Sequence, residues 1–242
     1  WGMEDGSGTL VSDASNYANN GTWSGTGNHW LKGKTGGAGY FASTSGDYVD
    51  AGSGTNLQIT DQVTYEAWIK VDGTNSTLDD TIMARYWSPN LWLYGASHQI
   101  TFSIDLGGGN AAFAYGSAPT LGVWYHVVGT YDKTLSSQNL KIYVNGSLSG
   151  TANFTQSMYS STKNVGIGKL LEQSTSLFNG TIDEAKIYNR ALSPTEVRYH
   201  YNKSGPVGYW KLDEGEGRAA FDSSGNSNNG TLVLAGYATS SA

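Results

Sequence analysis

The sequence contains no cysteine, which excludes a disulfide framework, a thiolate metal site and a thiol nucleophile together. It is also poor in charge: 14 lysines and arginines face 20 aspartates and glutamates, for a net charge of −6. A chain of that sign offers no overall attraction to nucleic acid, whose binding rests on neutralising phosphates. No apolar run approaches the roughly 18 residues that a membrane-spanning helix needs. What is abundant is glycine, 33 of 242 residues or about 14%, roughly twice ordinary usage. Glycine loses the most backbone entropy when ordered, so this content argues against a mostly helical protein. The length suits one large all-β sandwich or two small domains. The chain opens on Trp1 rather than Met and is read as a processed form or an excised piece, so a missing export signal carries no information.

The strongest internal signal is a repeat. The opening WGMEDGSGTLVSDASNYANNGT returns as WKLDEGEGRAAFDSSGNSNNGT, with Trp1 against Trp210, Asp13 against Asp222 and Asn19-Asn20-Gly21-Thr22 against Asn228-Asn229-Gly230-Thr231. Every pair is 209 positions apart without a gap. This divides the chain into a full unit, residues 1–205, and the opening of a second, residues 206–242; the alternative is one fold with two similar edge strands. Gly205-Pro206 marks the boundary.

Within the first unit the period is two. Val63, Tyr65, Ala67, Ile69 and Val71 alternate with Thr64, Glu66, Trp68 and Lys70, so one face of this strand is buried. Leu140, Ile142 and Val144 alternate likewise, and Asn145-Gly146 after them predicts a hairpin. Asn179-Gly180 before Ile182 to Tyr188 carries the same signal. One short helix is expected near 193–203, where Ser193-Pro194-Thr195-Glu196 combines a capping box with Pro at the first helical position.

The blocks GGAGYFASTSGDYVDAG, VTYEAWIKV, WYHVVGTYDKTLSSQNLKIYVNGSLSG, NVGIGK and FNGTIDEAKIYNRALSPTEV, in that order, resemble a laminin-G-like domain of the concanavalin A-like lectin/glucanase superfamily. They cover nearly all of residues 1–205. The resemblance implies an all-β jelly-roll sandwich of two antiparallel sheets, one convex and one concave. Glucanases of that superfamily carry an E-x-D-x-x-E strand, because retaining hydrolysis needs two carboxyls about 5–5.5 Å apart. No such pattern occurs here. The acid pairs Glu4-Asp5, Asp79-Asp80, Asp183-Glu184 and Asp213-Glu214 are sequence neighbours, which a regular strand turns to opposite faces. Glycoside hydrolase activity is therefore the minor alternative, and His126, inside an apolar strand, reads as a satisfied core or groove histidine.

The resemblance also implies a structural calcium that joins the first strand to the Asp of the last, here Asp183. Asp13 is the candidate carboxylate from the other end, against the alternative that it closes an Asx turn on its own backbone. Sugar binding would use exposed aromatic faces. Trp68, Trp124, Tyr143 and Tyr188 are expected in the core, and Trp1 and Trp210 are expected to pack. Tyr86, Trp87, Trp92 and Tyr94, with Asn90 and His98 between them, crowd one segment and form the candidate sugar platform. Sequons at Asn20, Asn75, Asn145, Asn153, Asn179, Asn202 and Asn229 are candidate glycosylation sites, several of them explained equally by Asn-Gly turns. The expected protein is an extracellular or cell-surface, non-catalytic module that binds glycans or cell-surface proteins. The alternative is a structural repeat subunit of a surface filament or array, associating head to tail by exchange of its C-terminal segment.

Overall fold

The structure, a computed structural model, describes the chain except residues 76–77, 87, 107–109, 204–207, 216, 223–227 and 234–242. In chain order the strands begin β1 (Leu10–Val11), β2 (Gly21–Ser24), β3 (Trp30–Lys32), β4 (Gly37–Phe41), β5 (Tyr48–Asp50) and β6 (Gln62–Val71). They continue as β7 (Asp80–Arg85), β8 (Asn90–Tyr94), β9 (Gln99–Asp105), β10 (Ala111–Tyr115), β11 (Trp124–Asp132) and β12 (Leu140–Val144). The last are β13 (Ser147–Ala152), β14 (Val165–Ile167), β15 (Gly180–Tyr188), helix α1 (Pro194–Asn202), β16 (Ala219–Ala220) and β17 (Gly230–Thr231).

Two antiparallel sheets pack face to face as a jelly-roll sandwich. One has eight strands in the order β1-β2-β5-β14-β7-β8-β9-β10, the other seven in the order β13-β12-β11-β6-β15-β4-β3. The core lies between them and takes the apolar set that alternation predicts: Val63, Tyr65, Ala67, Ile69 and Val71 from β6, Val127 and Tyr131 from β11, Leu91 and Leu93 from β8, Ile100, Phe102 and Ile104 from β9. Gly129 of β11 faces the opposite sheet. A Cβ there would lie 2.1 Å from Phe102 Cγ, so this strand position must be glycine for the ring to fit.

Asn145-Gly146 forms the β12–β13 turn with positive φ at both residues, as the hairpin signal requires. Asn179-Gly180 does not form a hairpin. Gly180 instead opens β15 between Phe41 and Val71, at φ 151, and a Cβ there would lie 2.2 Å from the Lys70 carbonyl oxygen. The dipeptide signal is local, and here the close approach of two strands decides the conformation.

The helix starts where expected, with both halves of the capping box made: Glu196 N–H donates to Ser193 Oγ (3.3 Å) and Ser193 N–H to Glu196 Oε2 (2.8 Å). It packs on the outer face of the seven-stranded sheet, where Val197 joins Val128, Tyr143 and Leu192 in a second, smaller apolar cluster. Trp68, Tyr143 and Tyr188 therefore do not enter the core between the sheets. They are covered on the outer face, Trp68 by the Tyr201 ring of α1 at 5.7 Å and by Lys34, whose Nζ lies 4.7 Å from the ring centroid. Alternation identifies that face but not that a helix and a loop bury it. Trp124 lies half-buried on the same face, beneath Lys70.

Candidate functional site

β8, β9 and β10 end the eight-stranded sheet. With Leu91, Leu93, Ile100, Phe102 and Ala114 in the core, alternation turns Trp92, Tyr94, Phe113 and Tyr115 to the outer face. Their rings form a continuous strip. Trp92 and Phe113 are parallel within 2° at 6.5 Å, Phe113 and Tyr115 within 9° at 5.8 Å, and Tyr94 meets Tyr115 edge-on at 5.4 Å. Thr101 of β9 lies buried between Trp92 and Tyr115, and Ser103, also buried, pairs with Phe113 on one side and Asn90 on the other. Tyr115 is 40% exposed, and the other three rings are partly exposed. Ser103 Oγ, Trp92 Nε1 and Thr81 Oγ1, on this same face, have no hydrogen-bond partner among the described residues. Buried polar atoms are nearly always paired in proteins, but these three lie covered, so the surface this face offers is aromatic.

Of the candidate sugar residues, Trp92 sits in this strip. Asn90 is buried, its amide nitrogen facing the carbonyls of Arg85 and Pro89. His98 ends a 3-10 turn with φ 49, its Nε2 lying 3.3 Å from Thr74 Oγ1. Tyr86 is half-buried, and Trp87 lies outside the described residues. Phe113 and Tyr115 escaped the sequence reading. Their signal was present in Ala111-Ala112-Phe113-Ala114-Tyr115, which alternates small and aromatic side chains, but their approach to Trp92 depends on β9 lying between the two strands.

A second constellation lies at the opposite sheet. β15 carries a bulge between Asp183 and Lys186, with Glu184 at φ 51. The bulge breaks the rule that strand neighbours point to opposite faces, so Asp183 and Glu184 converge. Glu4 of the opening segment joins them, with one oxygen from each of the three lying within 4.8 Å of the others. The glycine-rich turn 33–37 closes over the group. Thr35 N–H donates to Asp183 Oδ2 (3.0 Å) and Gly37 N–H to Glu4 Oε2 (2.9 Å). A Cβ on Gly33 would lie 2.5 Å from Asp183 Oδ2, and one on Gly36 would lie 2.4 Å from Glu4 Oε1. Burial pushes the Asp183 carboxyl up to about 6, with neighbouring Glu184 adding to the effect, against backbone hydrogen bonds that favour the charge. Asp183 Oδ1 is buried with no partner among the described residues, and Lys186 binds the far side of the group through Glu184 Oε2 (2.5 Å). Asp13 is elsewhere engaged: it accepts hydrogen bonds from Ser15 N–H, Ser15 Oγ–H and Asn19 N–H, all at 2.8 Å, which closes an Asx turn. The partner of Asp183 from the opening segment is thus Glu4, nine residues before the acid the sequence pointed to.

The third cluster is buried under α1. Glu66 accepts from His126 Nε2 (3.1 Å) and His200 Nδ1 (2.9 Å), and the Tyr188 hydroxyl also bonds to it. Burial opposes its ionisation, but the two histidine hydrogen bonds outweigh burial and hold the carboxyl well below the usual range. Burial pushes His126 down against the pull of Glu66. Its Nδ1 is buried without a partner, as an unprotonated nitrogen can be and an N–H could not be without cost. His126 is therefore a structural histidine paired through Nε2 alone, and the cluster fastens the helix to the sheet.

The sequon asparagines lie outside the strands, Asn202 at the end of α1 and the others in turns and loops. Asn20, Asn75, Asn153 and Asn229 are exposed, and Asn145, Asn179 and Asn202 are half-buried. Among the described residues, no helix is long and apolar enough to cross a membrane.

A two-sheet sandwich with a strip of rings on one outer face is of the lectin-like class. The chain belongs to the concanavalin A-like lectin/glucanases superfamily, whose laminin-G family model matches residues 43–198. Among curated proteins it is 35% identical over 81 residues to human adhesion G-protein coupled receptor D1, a match spanning 32% of this chain and 9% of that receptor. Among solved structures it resembles domain 4 of a GH43 extracellular arabinanase from Geobacillus stearothermophilus, solved with arabinotriose. That pair is 19% identical with TM-score 0.59, covering 78% of this chain and 97% of the other. It also resembles the botulinum neurotoxin serotype G binding domain, 18% identical with TM-score 0.60, over 87% of this chain and 54% of the other. At these identities the structural likeness is one of fold.

Proposed function

We propose that this chain is a non-catalytic, extracellular carbohydrate-recognition module that lays a saccharide across the strip Trp92–Tyr94–Phe113–Tyr115. The strip carries the proposal. Four contiguous, partly exposed rings offer an apolar aromatic surface to sugar C–H groups, and the exposed edge of Tyr115 adds a hydroxyl. The arabinanase domain solved with arabinotriose supports a sugar as ligand for this fold. On a glycan array the chain should retain at least one saccharide, and Trp92→Ala with Tyr115→Ala should weaken that binding about tenfold or more, as the loss of two stacking rings warrants. Undiminished binding by the double variant would remove the strip from the mechanism. Retention of protein ligands alone would remove the saccharide.

The same module carries a structural calcium in this reading, held by Glu4, Asp183 and Glu184. Calcium takes six to eight oxygen ligands, and three converging carboxylates with an orphaned buried Oδ1 and nearby backbone carbonyls suit it. Bound there, the ion would tie the opening segment to β15. Calcium in large excess over its dissociation constant should raise the unfolding midpoint by several degrees, by roughly 3 kcal/mol at a hundredfold excess. EDTA should reverse the rise, and Asp183→Asn should abolish it. A midpoint that ignores calcium in the parent chain would sink this assignment.

A further inference from the structure

The two copies of the repeat fold alike, down to individual hydrogen bonds. Trp1 Nε1–H donates to the Asn19 carbonyl at 2.7 Å, and Trp210 Nε1–H to the Asn228 carbonyl at 2.8 Å. Asn19 N–H donates to Asp13 Oδ2 at 2.8 Å, and Asn228 N–H to Asp222 Oδ2 at 2.9 Å. Asp13 N–H meets Asn20 Oδ1 at 2.9 Å, and Asp222 N–H meets Asn229 Oδ1 at 3.0 Å. β1 pairs with β2 through Leu10↔Thr22, and β16 with β17 through Ala219↔Thr231. Met3 and Leu212 share an uncommon positive φ, 56° and 57°.

What differs is burial. In the first copy Trp1 is 8% exposed and Met3 not at all, because the hairpin lies against the sandwich and β2 pairs with β5 through Thr22↔Asp50. In the second, Trp210 is 45% and Leu212 64% exposed, and β17 pairs only with β16 among the described residues. An apolar face of known complement is thus presented to solvent on a preformed strand pair.

We propose that the described residues 209–215, 217–222 and 228–233 are a docking element for a second laminin-G-like sandwich, and that their paired strands enter in that sandwich the slot that residues 1–24 fill in this one. Trp210, Leu212 and Ala220 take the places of Trp1, Met3 and Val11, and β17 adds beside the strand equivalent to β5. The docking rests on the apolar face and the strand pairing and needs no saccharide.

The test is the full chain with residues 1–22 replaced by the sequence of residues 210–231. Because Ala220 is smaller than Val11, a second chimera keeps valine at position 11. If the second copy fits the slot, at least the valine-bearing chimera unfolds cooperatively within about 10 °C of the parent, a shift of a few kcal/mol for a chain of this size. Hydrogen exchange of the backbone at 48–50 then stays as slow as in the parent, since β5 is still covered. Loss of the cooperative transition in both chimeras overturns the proposal, and so does a folded chimera in which residues 48–50 exchange freely.

Discussion

Replacing Glu66 by alanine is expected to destabilise the chain by about 4 kcal/mol, the range for removing one partner of a buried charged network. The carboxylate is the common acceptor for His126, His200 and Tyr188, so its loss leaves three donors without it. His126 suffers most, being fully buried with its Nδ1 already unpartnered. α1 loses its polar tie to the sheet, because His200 is the helix side chain bonded to Glu66. Urea unfolding of the parent and variant checks the size. Glu66→Gln should recover only part of the loss, since an amide accepts through one oxygen and presents N–H to the second donor.

The pH dependence has a definite sign. The folded-state carboxyl of Glu66 is depressed, so its contribution is complete above its ordinary value of 4.5 and is lost as the pH falls through the lower folded-state value. His126 is depressed as well, so the unfolded chain takes up its proton first and acid favours unfolding below the ordinary value of 6.5. Both groups weaken the fold in acid. Because Glu66 also holds the His126 value up against burial, the stability gap between parent and Glu66→Gln should widen as the pH falls below 6.5, and narrow again only as Glu66 itself takes up a proton below 4.5. A gap that never narrows at the acid end would contradict the assignment of Glu66 as the charged member.

Gly129→Ala is expected to cost about 3 kcal/mol, the upper end for overpacking a core. The added methyl would sit 2.1 to 2.7 Å from three atoms of Phe102. That ring cannot swing away, being fully buried and packed 6.0 Å from Tyr65. Either the sheets separate locally or Phe102 leaves its rotamer. Phe102→Leu in the same chain should recover part of the loss, so the two changes together cost less than their sum. Strict additivity in a double-mutant cycle would show that the methyl acts elsewhere.

Much of the fold was legible because it is written at short range. Alternation in β6 names the inward residues, and Ser193 with Glu196 names the helix start, since a cap bonds only its own first turn. The candidate site was less legible. Trp92 was visible as one of several crowded aromatics, yet Phe113 and Tyr115 reach it only across β9. The acids of β15 were judged divergent by the two-residue period, and a single bulge at Glu184 makes them converge. Glu4 meets them because the opening segment folds back over residues 33–37.

The repeat separates the two kinds of information most clearly. Sequence alone determined that the described parts of residues 1–22 and 210–231 would fold alike, because each shared indole and aspartate hydrogen bond and positive φ is satisfied within about two dozen residues of its own chain. It could not determine that Trp1 would be buried and Trp210 exposed. Burial depends on a complementary surface, and the surface that covers Trp1 and Met3 is assembled from strands far along the chain. Only the tertiary structure shows which of two like strand pairs is met by such a surface.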